Sequence, residues 1–268
     1  MVFLKYVGTE GNGASGPNRC NTLGIGKGSS DIFLHRVTTA ILSLRGIYYT
    51  WPDAEERREL ARLGEIKSDF PNCVGIADGM LFPLAFETEA SDAPCCSGRK
   101  HGCSITTMII CDYHKKIRYC LAGYPGSCHD NRVYNNTGFV KKSEDYFSEM
   151  EHNMGDRDFS NSPLMVSSYR KVKGELLEAG HETFNSKLAK LWIRSKHCIQ
   201  ILKGHFPWLR SIRMKVTDDP KSMRRILCLI DTTVILRNML MEFCEADCKE
   251  QIDKDCSVHY TQLAKRAD

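Results

Sequence analysis

Three aspartates stand at the ends of predicted elements, where a carboxylate can do chemistry. Asp78 follows a short apolar run, Asp130 lies where a helix is expected to begin, and Asp156 follows a glycine. A buried strand would hold such a carboxylate rigidly, and carboxylate oxygens are the ligands that hard divalent cations prefer. Aspartates in these places are also common turn residues and caps. Their type and position alone leave both roles open.

The elements that must position these aspartates follow from the apolar pattern, because alternating or β-branched runs predict strands and helical spacing predicts helices. The predicted strands cover 73–77, 80–86, 104–111, 117–122 and 164–168, with a hairpin turn at 114–116. The predicted helices run from an N-cap at Ser29 or Ser30 to about Leu44, from Ala54 to about Ser68, from near His129, from Thr183 to about Lys203, and from Pro220 to about Cys244. This order predicts an α/β domain with a mixed sheet. The glycine-rich stretch at 8–17 is expected to resist regular structure.

Length and composition favour one medium domain with a small appendage. The chain has 268 residues, of which 42% are apolar, and a single core serves up to roughly 250 residues. No apolar run approaches the ~20 residues that a membrane span needs. The first residues are too few and too quickly polar for a signal peptide. We therefore expect a soluble protein inside the cell.

The thirteen cysteines are an odd, scattered set. A secreted disulfide framework usually has an even count in a short chain, so these cysteines are expected to be reduced thiols. One spacing offers four soft ligands that could hold zinc, namely Cys244, Cys248, Cys256 and His259. It lacks the usual pair of cysteines separated by two residues, so a coincidental spacing is favoured over a zinc site.

The positive charge is concentrated in one segment. The net charge is only +4, but residues 181–225 hold eleven Lys or Arg and three acids. A basic segment of this kind indicates a polyanionic partner, with nucleic acid first. A solvated helix face is the alternative, so charge alone does not decide between them. Residues 242–268 are acidic in balance, with seven acids and four basic residues.

Six motifs occur in one order along the chain, and together they are specific although each alone is weak. They are Phe70-Pro-Asn-Cys-Val-Gly-Ile-Ala-Asp-Gly79, Ser97-Gly-Arg-Lys-His-Gly102, Gly123-Tyr-Pro-Gly-Ser-Cys-His-Asp-Asn-Arg-Val133, Gly155-Asp156, Phe184-Asn185 and Leu202-Lys-Gly-His-Phe-Pro-Trp-Leu209. The series closely resembles the nuclease domain of Harbinger-type transposases and their domesticated relatives, in the DDE superfamily. The resemblance covers about residues 20–243.

The resemblance implies an RNase H-like core, an α/β fold with a mixed sheet flanked by helices, at 70–243. Residues 1–69 resemble only the tail of the family's helix-turn-helix region and form a small helical segment, and 244–268 remain as a polar tail. The resemblance also implies duplex DNA as the substrate and a location in the nucleus. Some relatives act through a separate DNA-binding partner protein, so such a partner is implied as well.

The family's catalytic trio is two aspartates on adjacent strands and a glutamate on a later helix. The resemblance assigns these positions to Asp78, Asp156 and residue 196, and it groups Asp130 with the metal ligands. Two Mg²⁺ or Mn²⁺ ions ~3.5–4 Å apart would clamp the attacking and leaving oxygens of a phosphoryl displacement. Basic residues would hold the DNA backbone, and the candidates are Lys187, Lys190, Arg194, Lys203, Arg210 and Arg213.

A lysine stands where relatives have the third carboxylate. Their Arg-Ser-Glu-His-Cys is replaced here by Arg194-Ser-Lys196-His-Cys198. Protonated lysine has no lone pair to offer a metal, so its ammonium would repel the second ion or occupy its place. Helical spacing puts Lys196 at the border of the buried stripe, whose members are Leu188, Leu191, Ser195, Ile199 and Leu202. The alternative is that its stem reaches outward and its charge sits in water.

The sequence supports two functions on this fold. The first is a metal-dependent DNA endonuclease, impaired by Lys196 unless Glu175, Glu178 or Glu182 replaces the missing ligand. The second is a catalytically inactive module that binds DNA or protein. Further departures accompany the lysine, since Arg157-Asp158 puts a new charge pair beside Asp156, and Arg237-Asn238 stands where relatives have His-Asn.

Overall fold

The computed structural model of the chain describes residues 1–87, 96–97, 102–171 and 177–243. The strands are β1 (Cys73–Pro83), β2 (Cys96–Ser97), β3 (Gly102–Cys111), β4 (Ile117–Pro125), β5 (His152–Met154) and β6 (Met165–Val166). The helices are α1 (Val2–Val7), α2 (Gly16–Leu23), α3 (Lys27–Leu42), α4 (Arg45–Tyr48), α5 (Ala54–Ser68), α6 (Asp130–Asn135), α7 (Gly138–Lys141), α8 (Ala179–His205) and α9 (Pro220–Phe243). Among the described residues, no helix is long and apolar enough to cross a membrane.

The strands form one mixed sheet in the order β4-β3-β1-β5-β6, with the short β2 also paired to β3. Strands β1, β3 and β4 are antiparallel, as the predicted hairpin requires. Strand β5 is parallel to β1, and β6 is parallel to β5. The predicted α/β class is therefore confirmed, and this arrangement is consistent with an RNase H-like nuclease fold.

Side-chain alternation along the strands divides the core between the two faces of the sheet. On one face, Ile76 and Phe82 belong to the cluster that includes the apolar stripes of α8 and α9. On the other face, Ala77 and Met108 belong to the cluster that includes α6 and α7. Because Asp78 shares its face with Ile76, its carboxylate points toward α8, whereas Gly79 faces α6.

The N-terminal stretch is more regular than its composition predicted. Residues Gly11–Ala14 form a 3-10 turn, and α2 begins at Gly16. The prediction of an irregular 8–17 was wrong because local caps offset the glycines: the Ser15 hydroxyl accepts a hydrogen bond from the amide of Asn18, and Pro17 occupies the first turn, where its fixed φ favours a helix.

The predicted cap of α3 was also wrong. The helix begins at Lys27 after an extended Gly26, and Ser30 lies inside it, fully buried. The Ser30 hydroxyl accepts a hydrogen bond of 2.6 Å from Nε of Arg19. It therefore joins α2 to α3, and this contact between helices could not be recognised from a local capping pattern.

Strand β1 does not end at Asp78, as predicted, but continues to Pro83. Asp78 pairs with Ile109 of β3, and the following residues remain in register as far as Pro83. The two predicted strands, 73–77 and 80–86, are thus one strand that stops earlier than expected. The pairing with β3 maintains the extended backbone through Asp-Gly, which local propensity favours as a turn.

Helices α5 and α8 fix the region around the site. Helix α8 extends four residues beyond the predicted start and two beyond the predicted end, and its predicted buried stripe is buried. A buried ion pair anchors α5, since Nε of Arg57 lies 2.6 Å from Oε2 of Glu151 in the loop before β5. That contact holds α5 against the loop that leads into β5 and Asp156.

Candidate active site

Asp78, Asp130 and Asp156 come together although they are far apart in sequence. They line one cavity of about 440 Å³ with Asp158 and Lys196. Asp78 projects from the middle of β1, and Asp156 lies two residues after β5, the parallel neighbour of β1. Adjacent strands therefore bring two carboxylates to the same place.

Asp130 approaches the cavity through space that a glycine leaves open. It is the first residue of α6, after the extended His129. A Cβ atom built on Gly79 would lie only 1.9 Å from Oδ1 of Asp130, so any side chain at residue 79 would displace that carboxylate. The sequence pair Asp78-Gly79 thus supplies one carboxylate and makes room for a second.

Lys196 reaches into the same cavity. Its Nζ donates a hydrogen bond of 3.1 Å to Oδ1 of Asp78 and lies 3.0 Å from Oδ2. The ammonium also lies 4.2 Å from the centre of the Trp192 ring, where a cation–π contact is favourable. Its side chain is 36% exposed. The ammonium therefore pairs with Asp78 and does not sit in water alone.

Burial and charge crowding raise the pKa of the two strand carboxylates. Desolvation raises the pKa of Asp78 to about 7, with further upward contributions from Asp156 and Asp130, while Lys196 lowers it. Desolvation also raises the pKa of Asp156, and a hydrogen bond from the amide of Asp158 lowers it. The single ammonium thus relieves only part of the cost of placing ionised carboxylates in this cavity.

The cavity in this form does not fit a two-metal centre. Its oxygen donors suit a hard cation, and among the described residues no hydrogen-bond donor is aligned on the buried Oδ2 of Asp78. However, the ammonium of Lys196 lies 3.0 Å from Oδ2 of Asp78, where it would repel a divalent cation. Within the described ranges, no three His, Cys, Asp or Glu side chains converge on a point that could hold a metal ion.

Of the acids considered as substitute ligands, Glu182 lies on α8 but too far along the helix. At 1.5 Å per residue, Glu182 lies roughly 21 Å along the axis from Lys196. Glu178 precedes the helix and is exposed, and Glu175 lies outside the described residues. The additional carboxylate that does line the cavity is Asp158, which the sequence indicated only as part of a charge pair.

The four predicted DNA-binding residues on α8 fall into two groups. Lys187 and Lys190 are exposed on α8, with Lys187 2.9 Å from Oδ2 of Asp69. The guanidinium of Arg194 donates to the carbonyl and hydroxyl of Tyr113, and Nζ of Lys203 donates to the carbonyl of Leu81. These two side chains therefore already have internal partners.

The last two predicted DNA contacts lie beyond the end of α8. Arg210 is half exposed, and its guanidinium lies 3.6 Å from a carboxylate oxygen of Glu10. The Arg213 guanidinium lies over the Phe86 ring at 5.4 Å. Neither residue lines the cavity of the aspartates.

Three basic residues lie beside the site, and the sequence had indicated only Arg157, as half of a charge pair next to Asp156. Arg157, Arg170 and Lys171 line a second cavity of about 880 Å³, which shares Asp156 and Asp158 with the first. The Arg170 guanidinium donates two hydrogen bonds to the carbonyl of Arg157. For Arg170 and Lys171 the sequence signal is only that the two cations are adjacent, and adjacent cations are too common to be specific.

The cysteines that the structure describes are free thiols. The zinc spacing Cys244, Cys248, Cys256 and His259 lies outside the described residues, and it stays a sequence-based alternative. The predicted tail at 244–268 lies outside them as well.

A comparison with family models agrees with the geometry. Residues 77–238 match the family described as DDE superfamily endonuclease, and this span covers more than half of the chain and includes all four residues of the cavity that the sequence predicted. No curated protein and no solved structure gave a significant match. The chain belongs to the DDE superfamily endonuclease family.

Proposed function

We propose that this chain is a Harbinger-type, transposase-derived DNA endonuclease domain whose cleavage activity is impaired by Lys196. The observation that carries the proposal is the contact of the Lys196 ammonium, at 3.0–3.1 Å, with both carboxylate oxygens of Asp78. In this proposal Asp78 and Asp156 are the catalytic carboxylates, Asp130 is a further metal ligand, and residue 196 is the position of the missing glutamate.

Electrostatics explains why the lysine impairs metal binding. Two unit charges about 4 Å apart interact with about 4 kcal/mol at an effective dielectric constant near 20, so a divalent ion beside an ammonium is opposed by roughly twice that. Mg²⁺ or Mn²⁺ would have to expel the ammonium from Asp78 and would still find one carboxylate too few. The partly exposed stem of Lys196 allows it to leave, but only by giving up the ion pair and the contact with Trp192.

The same surface supports a DNA-binding role. The cavity that contains Arg157 and Arg170 adjoins the aspartates, and the exposed Lys187 and Lys190 lie on α8, which also lines it. Cations beside a nuclease site position the phosphate backbone without reading its sequence. We propose that duplex DNA binds along this surface in the nucleus and that a separate DNA-binding protein supplies target choice.

A cleavage assay tests the proposal. A labelled duplex is incubated with Mn²⁺ and either wild type, Lys196→Glu or Lys190→Glu, the last being a matched charge change on the exposed face of α8. We expect cutting by Lys196→Glu and by neither of the other two. Robust cutting by wild type that is lost in Asp78→Ala would contradict the proposal.

The second candidate function is a catalytically inactive binding module, which the Lys196–Asp78 ion pair also supports. Failure of Lys196→Glu to cut DNA would favour this function over the first. In that case DNA affinity is still expected to fall steeply with salt, because each phosphate contact releases counterions. An affinity for duplex DNA that does not respond to salt would leave protein binding as the remaining role.

A further inference from the structure

A cationic pocket lies at the hairpin end of the sheet, separate from the carboxylate cavity. This hairpin pocket has a volume of about 410 Å³ and lies between the β3–β4 turn, α8 and the last turns of α9. Five of its described lining residues are Lys or Arg and two are acidic. The pocket therefore has an excess of positive charge that the endonuclease reaction does not use.

Both acids of the hairpin pocket are already paired with cations. Oδ2 of Asp112 lies 2.7 Å from Nε of Arg118, and Oε1 of Glu242 lies 2.6 Å from Nζ of Lys116. Their charges are thus neutralised locally. These pairs involve two of the five cations, and Arg118 also contacts a carboxylate oxygen of Glu56 on α5.

Arg237 is the buried cation of the hairpin pocket. It is only 1% exposed, and its buried Nε has no hydrogen-bond acceptor among the residues that the structure describes. A terminal nitrogen of its guanidinium donates to two uncharged acceptors, the amide oxygen of Asn238 and the sulfur of Met241. In the part of the chain that the structure describes, it forms no ion pair, and a buried guanidinium without an anion is strongly unfavourable.

The remaining wall of the hairpin pocket is apolar or aromatic. It includes Tyr113, Ile201, Leu240 and Met241. Arg194 lies against Tyr113, with its guanidinium 3.8 Å from the ring centre. Guanidinium groups match phosphate oxygens with pairs of parallel hydrogen bonds, and the apolar wall would contact an organic group attached to that phosphate.

We propose that the hairpin pocket binds a phosphate monoester, with the phosphate paired to Arg237 and the organic part against Tyr113 and Leu240. A phosphate monoester is close to doubly charged at neutral pH, which suits the cationic excess. The phosphate could come from the end of a DNA strand or from a free ester. This binding does not depend on the endonuclease proposal, because the hairpin pocket shares no residue with the carboxylate cavity.

Calorimetry and thermal unfolding with phenyl phosphate test the proposal on the full chain. Wild type is expected to bind saturably, with a Tm that rises with ligand concentration. Arg237→Met is expected to weaken binding at least tenfold, whereas the surface control Arg36→Met, at an exposed position of α3, is expected to leave it unchanged. Leu240→Trp is a second variant that narrows the hairpin pocket from its exposed side, since Leu240 is 43% exposed, and it should also weaken binding.

Two outcomes would overturn the proposal: no saturable binding by wild type, or equal binding by wild type and both pocket variants. Competition then identifies the source of the phosphate. Displacement of phenyl phosphate by a 5′-phosphorylated duplex, but not by the same duplex with 5′-hydroxyl ends, assigns the site to a DNA end. Displacement by neither duplex assigns it to a free ester, and equal displacement by both contradicts monoester recognition.

Discussion

Replacing Asp78 with asparagine should stabilise the protein at neutral pH, although it removes half of an ion pair. The substitution keeps the shape of the side chain and abolishes its ionisation. Asp78 is 2% exposed, and its pKa rises from 3.8 to about 7 on folding. Asp78 therefore binds a proton more tightly in the folded state than in the unfolded state, so its contribution to stability falls as pH rises from about 4 to about 7.

The magnitude follows from the size of this shift. Each pKa unit corresponds to about 1.4 kcal/mol of free energy. The stability lost when Asp78 ionises is therefore at most about 4 kcal/mol above pH 7 and almost nothing near pH 4. The partly exposed Lys196 side chain can turn toward water when its partner is gone, which limits the loss of stability from breaking the ion pair. We therefore expect Asp78→Asn to raise the free energy of unfolding at pH 8 by between about 1 and 4 kcal/mol.

Urea unfolding in EDTA at several pH values between 4 and 8 measures this difference. Asp158→Asn is the matched control, because it makes the same chemical change at an exposed position of the same cavity. Its effect is expected to be small at every pH. A stability difference for Asp78→Asn that does not grow with pH, or a loss of stability at pH 8, would refute the reasoning.

Three further substitutions test the fold and the DNA surface. Gly75→Ala places a Cβ 2.3 Å from the buried amide oxygen of Asn153, and urea unfolding should show a loss of about 1–3 kcal/mol from overpacking. Glu151→Ala leaves the buried Arg57 without its anion, and the same assay should show a loss of about 3–5 kcal/mol. Lys190→Ala removes one phosphate contact, and the slope of log affinity against log salt should become shallower by about 0.9.

Each of these substitutions has a matched control. Gly28→Ala adds a Cβ that meets nothing and should not lower the free energy of unfolding. Glu149→Ala removes an exposed acid and should change it by less than about 0.5 kcal/mol. Lys141→Ala lies on α7, beyond the other face of the sheet, and should leave the salt slope unchanged. Equal effects in a variant and its control would contradict the corresponding assignment.

The sequence alone indicated that Asp78 follows an apolar run, that Asp130 lies near a predicted helix start and that Asp156 follows a glycine. Their convergence was implied only by the family resemblance, because no strand was predicted at β5, the parallel neighbour of β1 that leads to Asp156. The spacing of the buried stripe on α8 placed Lys196 at the border of that stripe. The structure brings these four side chains into one cavity.

Features set by contacts between distant segments could not be predicted. Asp78-Gly79 continues a strand because β3 pairs with it, and Ser30 is an internal residue of α3 because Arg19 donates to it. Neither partner is visible in a local window. The cationic hairpin pocket depends in the same way on Arg237 of α9 reaching a turn more than a hundred residues earlier in the chain.

Manganese titration by calorimetry at pH 8 tests most directly whether the Lys196 ammonium stands in for a metal ion. The account predicts no saturable binding by wild type, saturable binding by Lys196→Glu, and loss of that binding when Asp78→Ala is added to it. Saturable binding of Mn²⁺ by wild type that Asp78→Ala abolishes would contradict the account.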